Sequence, residues 1–202
     1  MKSWRCLTLA LALSAFASRA DSAVIVTVTE SNGDVVFSAG GTLNLAGLSR
    51  STGGDASVGL YYYGPTGVFW TLGANPLTRL PFDRYDGLTR IGDNFLSLPS
   101  TFFFASLGTG ARFGIDEGSG ASLLVPSGFT GGTISATAVF ASTNFAELGI
   151  VPGSYRWEWG SETNADSVTM NIGVNDVPEP ATFPCMGLAV ACLMLIRRHA
   201  RV

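Results

Sequence analysis

The stretch Gly153–Gly173, GSYRWEWGSETNADSVTMNIG, decides the fold class of this chain. Its first half alternates aromatic and charged residues, and the two-residue period of a strand places Tyr155, Trp157 and Trp159 on one face. Its second half is rich in β-branched and apolar residues at alternating positions. The stretch therefore predicts two strands, Ser154–Trp159 and Asp166–Ile172, separated by a polar turn.

Similar runs recur along the chain between clusters of Gly, Ser, Asn and Asp, without a long helical period. The other predicted strands are Val24–Thr29, Asp34–Ser38, Thr42–Ala46, Ser57–Tyr63, Val68–Leu72, Ser100–Ala105, Ala121–Val125 and Thr133–Ala141. Ser31-Asn32-Gly33-Asp34 predicts a hairpin between the first two. A short helix capped by Asn144 is predicted at Phe145–Leu148, and a long loop at residues 73–98. We expect an all-β domain over residues 21–174, a single antiparallel β-sandwich or jelly roll.

The N-terminus has the pattern of a secretory signal peptide. Two basic residues precede an apolar stretch from Leu7 to Ala17, and small residues then precede a cleavage position after Ala20 or, alternatively, after Ala23. An uncleaved anchor is the other interpretation, for which the apolar stretch is short. We expect residues 1–20 to be removed on export through the general secretion machinery.

The C-terminus carries a second export-type pattern. A linker at residues 175–180 leads to an apolar run over residues 181–196 and a basic tip over residues 197–202. As a helix the run is about 24 Å long, against about 30 Å for the hydrocarbon core of a bilayer. The pattern predicts a single transmembrane helix with its arginines on the cytoplasmic side, and a plain membrane anchor is one interpretation of it.

This tail also resembles the PEP-CTERM sorting signal. The residues that carry the resemblance are Pro178, Glu179 and Pro180, the short apolar helix after them, and the basic stop at Arg197 and Arg198. The resemblance implies processing near the Pro-Glu-Pro by exosortase, a membrane protease-transpeptidase of Gram-negative bacteria that make extracellular polysaccharide. It implies transient anchoring in the inner membrane, followed by a location at the cell surface or outside the cell. The predicted strand pair in Gly153–Gly173 resembles the last hairpin before the tail in some PEP-CTERM proteins.

The part of the chain between these two signals is acidic and has few reactive side chains. Residues 21–180 contain all fifteen acidic residues of the chain, six arginines and no lysine, histidine or cysteine. This composition argues against nucleic acid and anionic lipid as partners, and it excludes a disulfide, a thiol nucleophile and a histidine base. We therefore expect that this protein is not an enzyme. The alternative is a carboxylate-dependent glycan hydrolase, which needs two carboxylates within about 10 Å across a cleft.

Two groups of aromatic residues are candidates for ligand binding. Trp157 and Trp159 are either a platform for sugar rings or, as we prefer, the inner face of a strand. Tyr61, Tyr62 and Tyr63 form either a binding edge or an amphipathic strand end, with Tyr62 on the opposite face from its neighbours.

Three further residues could supply oxygen ligands for calcium. Asp83, Asp86 and Asp93 cluster in the predicted loop, but their spacing does not match the EF-hand pattern, and Arg84 and Arg90 lie among them. No other cofactor is expected.

The sequence thus predicts an exported structural protein of the cell surface or of an extracellular polysaccharide matrix, with a carbohydrate-binding module as the first alternative. It also predicts that the run Phe102-Phe103-Phe104 is a strand buried on both faces.

Overall fold

The fold is described from a computed structural model, which covers residues 23–63, 67–97, 101–118 and 120–173. These residues form strands and one short 3-10 helix at Glu162–Asn164, so the all-β prediction is confirmed. The strands are β1 Ala23–Ser31, β2 Asp34–Leu43, β3 Ser49–Ala56, β4 Gly59–Tyr62, β5 Val68–Leu72, β6 Leu80–Ile91, β7 Phe102–Phe104, β8 Leu107–Gly110, β9 Phe113–Asp116, β10 Ala121–Pro126, β11 Gly132–Phe140, β12 Gly153–Trp159 and β13 Asp166–Ile172.

The thirteen strands form one curled sheet. Their order is β7-β4-β5-β9-β10-β6-β12-β13-β1-β2-β11-β8, and β3 pairs with β6 beside this path. We call β3, β4, β5, β7, β9 and β10 half I, and β1, β2, β8, β11, β12 and β13 half II. Strand β6 belongs to both, because its start pairs with β3 and β10 while Thr89–Ile91 pair with β12. The expected separate sheets of a sandwich are therefore continuous through β6.

One ladder departs from the expected antiparallel pattern. Strands β1 and β13 pair in parallel, whereas the other ladders described are antiparallel. A parallel pair needs a long connection between its strands, and here most of the domain lies between β1 and β13.

The two halves enclose a shared hydrophobic core. Trp70 of β5 and Trp157 of β12 are fully buried, and their ring centroids are 6.0 Å apart. Phe113 of β9 meets Trp70 edge to face at 5.7 Å. Burying side chains of this kind stabilises a fold by roughly 1.5–3 kcal/mol each. This contact therefore fixes how half I sits on half II.

Backbone hydrogen bonds also connect the β8 end of the curled sheet to the segment that follows β5. The Gly73 N–H, just after β5, donates to the Thr137 carbonyl of β11 at 3.0 Å, and the Ala74 N–H donates to the Gly110 carbonyl at the end of β8 at 3.0 Å. The half II end of the sheet therefore lies against the segment that follows β5.

Several predicted strands differ from the observed ones. The predicted strand Asp34–Ser38 and the start of the predicted strand Thr42–Ala46 form one strand, β2, because the glycines between them allow close pairing with β1: a Cβ at Gly41 would lie 2.1 Å from the Ala23 carbonyl oxygen. Strand β2 ends at Leu43, so the second prediction is wrong over residues 44–46. The predicted loop at residues 73–98 contains β6, so that prediction is wrong over Leu80–Ile91. Strands β3, β8 and β9 were also not predicted, since they are polar, glycine-rich or short.

The local turn predictions have mixed outcomes. Asn32 and Gly33 have φ values of 55° and 83°, as the predicted β1–β2 hairpin requires. The predicted helix at Phe145–Leu148 is a turn, in which the Asn144 Oδ1 accepts the Glu147 N–H at 3.0 Å. The capping contact is therefore correct, but one turn is too short to propagate as a helix.

The two predicted export signals lie outside the described residues, with the single exception of Ala23. This applies to the signal peptide, the linker, the predicted transmembrane helix and the basic tip, and so to Pro178, Glu179, Pro180, Arg197 and Arg198. Within the described ranges, no helix has the length and apolar character needed to span a bilayer.

Candidate functional site

The tryptophans of β12 belong to the core and not to a surface. Trp157 is 0% and Trp159 is 4% exposed, and each indole N–H is hydrogen-bonded, to the Glu117 Oε1 at 2.5 Å and to the Asn44 carbonyl at 2.8 Å. The hypothesis of a sugar platform at Trp157 and Trp159 is therefore wrong. The physical reason is that this face of β12 is the inner face of the curled sheet.

Tyr61 and Tyr62 of β4 and Tyr63, which follows β4, divide between the two faces of the sheet, as the alternation predicts. Tyr62 points inward, where its hydroxyl donates to the Leu148 carbonyl and burial raises its pKa. Tyr61 lies half-buried on the outer face, and Tyr63 is 57% exposed. Two of the three predicted aromatic residues are therefore accessible from outside the domain.

The phenylalanines of β7 extend this outer aromatic surface. Phe102 is 61% and Phe104 is 46% exposed, whereas Phe103 packs inward against Tyr62 at 6.3 Å between ring centroids. The prediction that this strand is buried on both faces is wrong, because β7 is an edge strand and only one face of the sheet covers the core.

Tyr61 is the centre of the outer aromatic cluster. Its ring lies nearly parallel to that of Phe102, at 6.0 Å and 27°, and meets Phe69 edge to face at 5.2 Å and Phe104 at 5.9 Å. Such contacts hold the rings in fixed orientations. We call the adjoining cavity of about 320 Å³ the aromatic groove; it is lined by Tyr61, Tyr63, Phe69, Phe82, Phe104, Ala56, Ser57, Asp55 and Arg79.

The polar side of the aromatic groove is an exposed ion pair. An Arg79 guanidinium N–H donates to Asp55 Oδ1 at 2.8 Å and to the Asp55 carbonyl at 3.0 Å. Arg112 holds the segment before Arg79 through hydrogen bonds: its guanidinium donates to the carbonyls of Ala74 and Thr78 at 3.3 and 3.2 Å. The groove therefore combines accessible ring faces with a charged donor and a charged acceptor.

A second cavity lies on the same half. We call it the polar groove; its volume is about 490 Å³, and it is lined by Ser51, Thr52, Arg84, Asp86, Gly87, Leu88, Gly120, Ala121 and Ser122. The Ser122 hydroxyl donates to Asp86 Oδ1 at 2.7 Å, and this bond lowers the pKa of Asp86, so its carboxylate is ionised at neutral pH. Arg84 is engaged in an ion pair with Asp116.

A scan of protein-family models and searches of curated proteins and solved structures gave no match to this chain.

The three candidate calcium ligands do not converge. Asp83 and Asp86 are three residues apart on β6 and point to opposite faces of the sheet. Asp83 accepts hydrogen bonds from Arg50 at 2.8 Å and from the Gly128 N–H at 2.9 Å, and the Arg50 contact is the main cause of its lowered pKa. Asp93 follows the end of β6. No group of three potential ligands is found within the described ranges, so these three candidates do not form a common calcium site there.

The carboxylates of the adjacent residues Asp116 and Glu117 also lie in different places. Asp116 is paired with Arg84 on the outer face, while Glu117 is buried and accepts hydrogen bonds from Arg90 at 2.9 Å and from Trp157. A polysaccharide has no access to Glu117, so these two carboxylates cannot act together across a cleft as the hydrolase mechanism requires.

Sequence reasoning missed several residues of the grooves. Asp55, Phe69, Phe82 and Ser122 come from four different strands, and only the register of the sheet brings them beside Tyr61 or Asp86. The alternation of Phe82, Arg84 and Asp86 was a usable signal that these three side chains share one face of a strand.

Proposed function

We propose that this protein is a non-enzymatic, exported surface or matrix protein that binds polysaccharide in its aromatic groove. The observation that carries the proposal is that the exposed Tyr63 and Phe104 and the half-buried Tyr61 line one cavity, next to the Asp55–Arg79 pair. A sugar ring presents C–H groups on its faces and hydroxyls at its edges. Aromatic rings contact such faces, and a carboxylate and a guanidinium accept and donate hydrogen bonds at the edges.

Removal of the accessible tyrosines should weaken polysaccharide binding. We expect Tyr61→Ala and Tyr63→Ala each to raise the Kd by about tenfold, equivalent to about 1.4 kcal/mol, because each loses a ring face of the groove. Isothermal titration calorimetry with cello-, malto- and manno-oligosaccharides, supported by affinity electrophoresis in soluble polysaccharides, measures the effect. Ile25→Ala is the control, since Ile25 is exposed on half II.

The proposal fails if wild-type protein binds none of these sugars, or if both tyrosine variants bind them as well as wild type does. Thermal melting of each variant separates lost binding from lost folding.

We also propose that the tail delivers the protein to the cell surface by exosortase-type processing. The resemblance at Pro178, Glu179 and Pro180, with Arg197 and Arg198 at the basic stop, supports this proposal. A surface location also brings the aromatic groove into contact with extracellular polysaccharide.

The sorting proposal predicts that the mature protein in its native host lacks the basic tip. Intact mass spectrometry of the protein from that host measures this directly. Glu179→Ala, or deletion of residues 181–202, should change processing and location while circular dichroism shows an unchanged β domain. A mature protein that keeps Arg197 and Arg198 would instead be a simply anchored one.

A further inference from the structure

We infer that the aromatic groove and the polar groove are two parts of one extended binding face, which holds several consecutive units of an uncharged polysaccharide chain. This inference rests on the proposed function, because it assumes that the aromatic groove binds sugar. It adds a second site, the polar groove, and assigns the chemical class of the ligand.

Strand β6 connects the two grooves. Phe82, Arg84 and Asp86 are alternate residues of this strand and therefore share one face of the sheet. Phe82 lines the aromatic groove, whereas Arg84 and Asp86 line the polar groove. From Phe82 to Asp86 the strand advances about 13 Å. The grooves thus open on the same side of the domain, one after the other.

The register across the strands gives a second connection. Tyr61 pairs with Phe69, Phe69 with Asp116, Asp116 with Ser122, and Ser122 with Asp86. Directly paired residues point to the same face, so this row crosses half I from the aromatic groove to the polar groove. Four strand spacings of about 4.8 Å give a path of about 19 Å along the curled sheet. Such a face is longer than a single sugar unit needs.

The charges of this face favour an uncharged ligand. Its two lining cations, Arg79 and Arg84, are already paired with Asp55 and Asp116. Asp86, by contrast, accepts a hydrogen bond from the Ser122 hydroxyl and lies in the field of Arg84, and it forms no ion pair within the described residues. The face therefore offers carboxylate acceptors to sugar hydroxyls but no unpaired guanidinium for a carboxylate or sulfate group of a polyanion.

Small side chains keep the polar groove open. Ser51, Gly87, Gly120, Ala121 and Ser122 line it, so the backbone and the Asp86 carboxylate are accessible to a ligand. Gly87 and Gly120 have φ values of 116° and 121°, which other residues rarely adopt.

The dependence of binding affinity on the length of the oligosaccharide tests the inference. Calorimetry of purified protein with cello-, malto- and manno-oligosaccharides of two, four and six units should show at least a tenfold rise in affinity from two to six units for the sugar that binds. Asp86→Asn should remove most of this gain and leave the affinity for the disaccharide unchanged. Tyr63→Ala should weaken binding at every length. Glu158→Gln removes the same charge from the exposed face of half II and should change nothing.

The outcomes separate this inference from the proposed function. If wild-type affinity does not depend on length, or if Asp86→Asn behaves as wild type while Tyr63→Ala weakens binding, the aromatic groove acts alone and the extended face is wrong. If alginate or polygalacturonate binds more tightly than every neutral sugar, the assignment of an uncharged ligand is wrong. If no oligosaccharide binds at all, the proposed function fails and the extended face fails with it.

Discussion

Replacement of Trp157 by alanine should lower the free energy of unfolding by about 4 kcal/mol. The indole is fully buried between Trp70 and Phe95, with ring centroids 6.0 and 6.3 Å away. Its removal leaves a cavity between the two halves of the sheet and takes the indole donor away from Glu117. The measurement is equilibrium unfolding in urea, followed by fluorescence of the remaining tryptophans.

Tyr63→Ala is the control for this loss of stability. Tyr63 is largely exposed, so its truncation should change the free energy of unfolding by no more than about 0.5 kcal/mol. A loss below about 1 kcal/mol for Trp157→Ala would contradict the shared core. The milder Trp157→Phe variant should fold and keep its sugar affinity, which separates a core role of this residue from a role in binding.

The alternation of apolar and polar residues predicts the strands that have one apolar and one polar face. In β1, Val24, Val26 and Val28 are buried, and β12 alternates in the same way. In β6, by contrast, Asp83 and Arg84 look like loop residues. Each forms an ion pair with a residue of another strand: Asp83 with Arg50 of β3, and Arg84 with Asp116 of β9. The partners that neutralise Asp83 and Arg84 lie far away in the sequence, so the two adjacent charges mask the weaker alternation of Phe82, Arg84 and Asp86 and the local pattern predicts a loop.

The sequence predicts only part of the candidate site, because here too the contacts join strands that are distant in the chain. The period of two correctly separates Tyr62 from Tyr61 and Tyr63. It cannot show that Phe104 and Asp55 lie beside them, because this depends on how β7 pairs with β4 and β3 with β6. Register between distant strands is set by the packed core and not by local propensity.

Truncation of Glu117 to alanine should lower the free energy of unfolding by about 3 kcal/mol. Its carboxylate accepts hydrogen bonds from Arg90 at 2.9 Å and from the Trp157 indole at 2.5 Å, and so connects the end of β9 in half I to β6 and to β12 in half II. Without it, the indole N–H is left buried without an acceptor, which by itself costs about 1–3 kcal/mol. Urea unfolding at neutral pH measures the change.

Glu158 provides a matched control for this prediction. It is also a glutamate in an ion pair with an arginine, Arg156, at 2.5 Å, but its side chain is 46% exposed, against 7% for Glu117. Exposed pairs contribute about 0–1 kcal/mol, because water and salt screen the charges and ordering two long side chains costs entropy. Glu158→Ala should therefore lower the free energy of unfolding by less than about 1 kcal/mol. Equal losses for Glu117→Ala and Glu158→Ala would contradict the view that burial, and the connection of Glu117 to Trp157, give this carboxylate its importance for the fold.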